Sequence, residues 1–384
     1  LSFIYFINTN KDLKIILFFA FFLKLFLVLL LFFNIALPDS TLDVQGFQYY
    51  AKLQSHLGFE EIINSFYSMG LPLVYIKVVA IIYSFFGANI YIIYFINIFL
   101  GLFNVVIVYK ISYLLFSNKQ TAHYTTLVYA FYPSVFLYSI LPSREIIISF
   151  LILISILFIL RWIKYGNILD LFIAFIFAYL NLYFHSALVL LIGVYAIVFL
   201  IKYMYLALVK QDYYSYIIIF ILIILAYIYL NEIIYYLNNI PYINDLNISD
   251  FNEHTRSSLA GRLSFPDSLM YNSLSELISN IPLRIYYFLY TPSINNILQA
   301  QDLLGIMDSS MVMVLTITVF LNYKSIINNP SALLIFIIFL FLIFIFAYGT
   351  GNSGTALRHR AKFLSLFILL GIPSVVNQIK FYIK

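Results

Sequence analysis

Apolar runs long enough to cross about 30 Å of hydrocarbon recur along the chain, separated by short polar stretches. They fall at residues 12–36, 88–112, 120–141, 145–163, 168–183, 186–208, 214–237, 308–323, 331–349 and 361–378, which predicts ten membrane-spanning helices. Two longer segments, 37–87 and 238–307, interrupt this alternation. The apolar part of the first, 71–86, is too short to span and reads as an interfacial or re-entrant helix. The second is much longer than a plain connection needs, so it is expected to be functional or partly helical. The chain therefore reads as a single integral membrane domain over 1–384, an all-α transmembrane bundle with interfacial helices in its first long segment. No internal repeat is evident, and the paired, Gly/Pro-broken helices of inverted-repeat transporters are missing.

Composition strengthens the membrane reading. Of 384 residues 64% are hydrophobic and only 10% are charged, with a mean hydropathy of +0.99. Soluble domains carry roughly one quarter charged residues, and a chain this apolar has too little polar surface to cover a globule in water. Lipid must be its main solvent. The 35 Tyr and 40 Phe partly look like a nucleotide-composition bias, so their number is no sign of stacking sites. With no Cys, thiolate nucleophiles, disulfides and Cys-bound metals are excluded. The net charge of +5 suits contact with anionic lipid and has no resemblance to a nucleic-acid footprint. The first apolar run is long enough to remain as an anchor and does not read as a cleavable signal. There is no Walker A loop, dinucleotide fingerprint, H-E-x-x-H or G-x-S-x-G elbow, which disfavours nucleotide-driven pumping and zincin chemistry.

Charge placement then orients the spans. Lys11, Lys14, Lys110, Lys119, Lys164, Lys202, Lys210, Lys324, Lys380 and Lys384 all fall on one side of the ten-span topology, which the positive-inside rule makes cytoplasmic, with both termini there. Lys52, Lys77 and Lys362 are expected at the outer face, and Lys24 lies within the first span. Arginine is distributed oppositely. Only Arg161 joins the inner lysines, while Arg144, Arg256, Arg262, Arg284, Arg358 and Arg360 are expected outside. Insertion bias does not explain that set, and the planar guanidinium fork matches phosphate and carboxylate, so an anionic ligand such as a lipid-linked phosphate is expected there. Pairing with Asp and Glu of the same loops is the competing explanation. Glu232 and Lys24 are intramembrane charges that each need a partner.

Four stretches carry the candidate chemistry. LPDSTLDVQGFQYYAKLQ sets Asp39 and Asp43 just beyond the first span, with Phe47 and Ala51 at four-residue steps after Asp43. YPSVFLYSILPSREIIISF puts Arg144 and Glu145 at the start of a span. IPLRIYYFLYTPSI carries Arg284, and GNSGTALRHRAKFLSLF brings Arg358, His359, Arg360 and Lys362 to the mouth of the last one. In this order the four resemble polytopic GT-C glycosyltransferases of the protein-mannosyltransferase-like group (glycosyltransferase family 39-like). The resemblance covers most of the chain, through motifs with few fixed positions each.

That resemblance implies a GT-C-like fold and a membrane glycosyltransferase taking a hexose or pentose from a polyprenyl-phosphate donor. The acceptor would be a saccharide, lipid or protein at the outer side of the cell membrane, in cell-surface polysaccharide or glycoconjugate assembly. It implies Asp43 as catalytic base, Glu145 as its acidic companion, and Arg358, His359, Arg360, Lys362 and His185 as the grip on the donor phosphate. Asp39, Arg144, Arg256, Arg262 and Arg284 would contact substrate. Asp43 and Glu145 offer two hard oxygen ligands, which suits a water-rich Mg²⁺ or Mn²⁺ site at best. Each position also has a structural reading. Asp43 can cap the following helix, Glu145 can answer the helix dipole, and the last basic cluster can snorkel to headgroups. A polymerase or ligase for lipid-linked oligosaccharides and a transporter for polyprenyl-linked sugars are the alternative functions.

Overall fold

The computed structural model describes residues 10–40, 42–65, 74–228, 263–269, 273–293, 299 and 302–383. Among them the regular elements are helical, and β pairing is confined to one isolated bridge between Ser264 and Asn352. Seven of the described helices are long and apolar enough to cross a membrane. They are α1 (Lys11–Phe32), α5 (Ile90–Phe116), α8 (Glu145–Tyr165), α10 (Val189–Leu208) with the turn Ser186–Leu188 before it, α14 (Asp302–Leu321), α16 (Pro330–Tyr348) and the start of α17 (Ser353–Ile383).

The remaining three expected spans differ for identifiable reasons. The run 120–141 is broken into α6 (Lys119–Phe131) and α7 (Pro133–Tyr138). Pro133 excludes the helical conformation for the residue before it, and Tyr132 is accordingly extended at φ −65° and ψ 127°. The run 168–183 forms α9 (Ile168–Leu182), whose 15 residues reach about 22 Å. For 214–237 the described part is α11 (Tyr213–Ile228). The segment 71–86 gives α4 (Val74–Phe86), whose 13 residues reach about 20 Å, short of a bilayer core. It packs beside α2 (Leu42–Ser55) and α3 (Phe59–Asn64). The small helices α12 (Leu274–Ser279), α13 (Ile281–Tyr290) and α15 (Tyr323–Ile327) complete the set.

The last helix is the axis of the core. Every residue of α17 from 360 to 371 is buried, and Phe363, Phe367 and Leu370 pack with Ile335 and Phe339 of α16, Val312 of α14 and Ile152 of α8. α1 lies at the periphery. Its buried positions Leu13, Ile16, Ala20, Lys24 and Val28 form one stripe at helical spacing, while Phe18, Phe22, Phe26 and Phe32 are each more than half exposed. Exposing one such side chain to water costs roughly 1.5–3 kcal/mol, so this phenylalanine face needs lipid against it.

Contacts between helix ends test which polar segments share an end of the bundle. Lys11 of α1, Tyr109 and Tyr113 of α5 and Lys119 of α6 line one cavity of about 850 Å³. The Asn329 amide before α16 donates to the Leu115 carbonyl of α5, and Lys202 of α10 donates to the Trp162 carbonyl of α8. Lys11 and Lys119, grouped by sequence, therefore share one end. Lys77, expected at the outer side of the membrane, is buried, and its ammonium donates to the Ser65 carbonyl. Lys24 has the face of the Phe136 ring 5.6 Å away and lies over Gly101, where a methyl group would meet its Nζ at 2.7 Å.

Candidate functional site

The opposite end of the bundle gathers a charged centre from four parts of the chain. Helix α17 supplies most of it, and its start explains the geometry. The Asn352 side chain accepts from the Thr355 N–H at 2.8 Å, so the helix begins at Ser353 and the basic run lies within its second and third turns, past the glycine-rich stretch. Successive helical residues project about 100° apart. Arg358, His359 and Arg360 consequently point in three directions, while Arg358 and Lys362, four residues apart, share a face.

On that shared face Arg358 meets Glu145, the first residue of α8, at 3.4 Å. The Arg358 side chain keeps 20% of its surface exposed, and that of Glu145 keeps 2%. Lys362 follows one turn deeper, fully buried, with its ammonium 5.2 Å from the Phe346 ring. The second carboxylate oxygen of Glu145 and the Lys362 ammonium each lack a hydrogen-bond partner among the described residues. Arg144, just before Glu145, donates to the Phe184 carbonyl at 3.2 Å, which ties α8 to the turn between α9 and α10.

His359 points toward that same turn. Its ring lies 5.5 Å from the ring of His185 and 4.7 Å from that of Phe346, with its Nδ1 3.5 Å from the Thr350 hydroxyl. His185 opens the short turn Ser186–Leu188 in an extended conformation. Burial, reinforced by the charges of Lys362 and Arg144, pushes its pKa well below the ordinary imidazole value, so the ring is neutral at neutral pH.

Arg360 turns the other way, into the core. It is 1% exposed, pairs with Asp308 of α14 at 2.9 Å, and donates to the carbonyls of Phe288, Leu289 and Thr291 at the end of α13. Arg284 is likewise 1% exposed. It donates to the carbonyls of Ala347, Tyr348 and Thr350, which closes the end of α16, and to that of Leu269. Both guanidinium groups are occupied by the fold itself.

Near the same centre, Tyr138 at the end of α7 donates to the carboxylate of Asp39, which has left-handed backbone at φ 56°. Asp43 lies in the first turn of α2. The neighbouring residue Val44 is 3% exposed and packs with Leu137, Tyr138, Leu357 and Ala361, the last two flanking Arg358 and Lys362 in sequence. Further along α2, Phe47 touches Tyr75 of α4 at 5.4 Å between rings, and Ala51 is fully buried in the cluster that includes Ile147 and Phe184. Phe47 and Ala51, four residues apart, thus lie on the side of α2 turned to the bundle.

The structure therefore brings together Glu145, Arg358, Lys362, His359, His185 and Arg144, with Asp39 and the first turn of α2 close by. It separates Arg360 and Arg284 from them. Arg256 and Arg262 lie outside the described residues, as does Glu232. Among the described residues no three His, Asp or Glu side chains gather to hold a metal ion. Two participants were not singled out by sequence. Asp308 carried a usable signal, since an acid inside a predicted span demands a partner, whereas Tyr138 is one tyrosine among many.

Compared with protein-family models, with curated proteins and with solved structures, the chain matches none. The fold and the centre define a class: an all-helical protein with helices fit for several membrane crossings and a buried, mixed-charge centre at one end.

Proposed function

We propose that the protein is a membrane glycosyltransferase of GT-C type, which transfers a sugar from a polyprenyl-phosphate donor to an acceptor hydroxyl. The observation that carries this reading is the meeting of Arg358, Glu145 and Lys362 beside the first turn of α2, where Asp43 lies. With the lysine-bearing end and both termini in the cytoplasm, this centre faces the outer side of the cell membrane. Ten crossings follow if α6 with α7, α9, and the helix beginning at Tyr213 each traverse the bilayer.

The chemistry is a single displacement. The acceptor oxygen bonds to the anomeric carbon, the bond from that carbon to the phosphate oxygen breaks, and the phosphate departs on the polyprenyl chain. The Asp43 carboxylate takes the acceptor proton. Arg358, partly exposed, stabilises the charge that develops on the departing phosphate. Arg360 and Arg284 hold the ends of α13 and α16 in place around this centre and do not touch the donor. If a divalent cation takes part, Glu145 and Asp43 are the acids to hold it.

The test is to incubate the purified protein with radiolabelled polyprenyl-phosphate sugars and candidate acceptors, comparing wild type with Asp43→Asn. Loss of transfer in the variant by about 10²-fold or more, the usual weight of a general base, is expected. Equal transfer by both removes Asp43 as the base. A donor accepted only when it carries an oligosaccharide identifies a polymerase or ligase. Sugar crossing a vesicle with no new glycosidic bond replaces the transferase with a transporter.

A further inference from the structure

The centre contains two kinds of polar group, and they differ in what they leave unsatisfied. Glu145 gives one carboxylate oxygen to Arg358, and its other oxygen has no partner among the described residues. The Lys362 ammonium, one helical turn or about 6 Å further along α17 than Arg358, has none either. The two groups are 2% and 0% exposed, and each enters the other's electrostatic environment without direct hydrogen-bond or ion-pair contact. Both are thus buried and polar where the Arg358 face of α17 meets the start of α8, and each leaves a hydrogen-bonding atom unmet, an arrangement that is costly unless a further group satisfies both.

The chemistry of the two ends restricts the bridge. A carboxylate only accepts hydrogen bonds, and an ammonium only donates them. A group satisfying both must donate one hydrogen bond and accept another. A hydroxyl does so, whereas an ionised phosphate offers only acceptors and meets the free Glu145 oxygen with repulsion. Arg358, by contrast, is partly exposed and carries a fork matched to phosphate.

We propose that Glu145 and Lys362 form a hydroxyl-recognising subsite, which holds a hydroxyl of a neutral saccharide, and that the donor phosphate binds separately at Arg358. Lys362 is thereby moved from phosphate grip to sugar selection. The choice of a saccharide rests on the glycosyltransferase reading. Phe346, buried with its ring against Lys362, His359 and Phe363, is the apolar neighbour of the pair.

The test uses the full chain in lipid nanodiscs and two probes of separate chemistry. One is a panel of methyl glycosides of glucose, galactose, mannose and N-acetylglucosamine. The other is undecaprenyl phosphate carrying no sugar. Thermal stabilisation against probe concentration gives the affinity for each. At least one methyl glycoside is expected to stabilise wild type, and Glu145→Gln and Lys362→Met are each expected to weaken that response by about tenfold to 100-fold, the weight of one hydrogen bond to a charged group. Lys362→Met should bind undecaprenyl phosphate as wild type does and Glu145→Gln at least as tightly, because Arg358 then loses its competing carboxylate, while Arg358→Gln weakens it. Glu145→Gln keeps the side chain's shape, so it decides the matter even where Lys362→Met folds poorly.

The subsite is overturned if no glycoside stabilises wild type, as expected where a water molecule bridges the pair. It is also overturned if both variants keep the glycoside response, or if Lys362→Met weakens undecaprenyl phosphate as much as Arg358→Gln does. That last result leaves the transferase reading intact. Glycoside binding through the pair with no glycosyl transfer by wild type removes the transferase and leaves the subsite.

Discussion

Arg360 is the residue whose role changes most between sequence and structure, and its substitution separates a scaffold from a ligand site. Arg360→Met removes a guanidinium that is 1% exposed, along with two contacts to Asp308, at 3.0 Å and 2.9 Å, and the donors to three carbonyls at the end of α13. Asp308 is then a fully buried carboxylate with no cation beside it. Removing one partner of a buried pair typically costs about 3–5 kcal/mol, which is roughly a 10²- to 10⁴-fold shift in the folding equilibrium. The single tryptophan, Trp162, is 1% exposed and reports unfolding by fluorescence from the far end of α8, well away from the substitution. Arg360→Met is expected to lower the thermal midpoint by several degrees. Adding Asp308→Asn should recover part of the loss, because no uncompensated charge remains, although the three carbonyls still lack their donor. Undecaprenyl phosphate affinity should be unchanged in the double variant. A variant as stable as wild type that has lost lipid-phosphate binding refutes the scaffold role and returns Arg360 to the donor site.

Four further outcomes follow from particular contacts. Arg284→Met frees the last carbonyls of α16 and should lower stability by about 1.5–3 kcal/mol or more, read in the same fluorescence assay. Gly371→Ala places a methyl group 2.4 Å from the Thr318 hydroxyl and should cost about 1–3 kcal/mol, whereas Gly46→Ala, in α2 with nothing within 4 Å, should stabilise by about 0.5–1 kcal/mol. His185 has a depressed pKa in the folded protein, so below the unfolded value near 6.5 the unfolded chain binds a proton that the fold refuses. Stability should therefore fall as pH drops below about 6.5, by at most ~1.4 kcal/mol per unit from this group, and His185→Asn should flatten that slope in pH-dependent melts. Arg358→Gln should lower glycosyl transfer through weaker donor binding or slower departure of the phosphate, with α17 still folded; an unchanged rate removes it from the site.

The membrane character and most of the helix list were readable from apolar run length, because lipid imposes the same length on every crossing. The break at Tyr132 was readable too, had Pro133 been weighed against the run around it. Part of the grouping of residues at one end was also legible, since Lys11 and Lys119 do come together as their spacing between spans requires. The site was legible only in part. Glu145 and Arg358 were both named, yet their pairing depends on how α8 packs beside α17, which run length does not encode. Arg358 and Arg360 looked equivalent as neighbours in a string. On a helix they point about 200° apart, and one faces Glu145 while the other enters the core at Asp308. The contacts of Arg284 with four backbone carbonyls were hidden for a related reason: a buried guanidinium and one that grips a ligand leave the same letter in the sequence.

The most direct measurement follows the two halves of the donor at once. Polyprenyl-phosphate sugars labelled separately in the sugar and in the phosphate are given to the protein in nanodiscs with a panel of acceptors. Glycosyl transfer requires the sugar label to appear in the acceptor while an equal amount of phosphate label remains in the membrane as free polyprenyl phosphate. Sugar label that stays lipid-linked with every donor, or phosphate label that travels with the sugar, contradicts it.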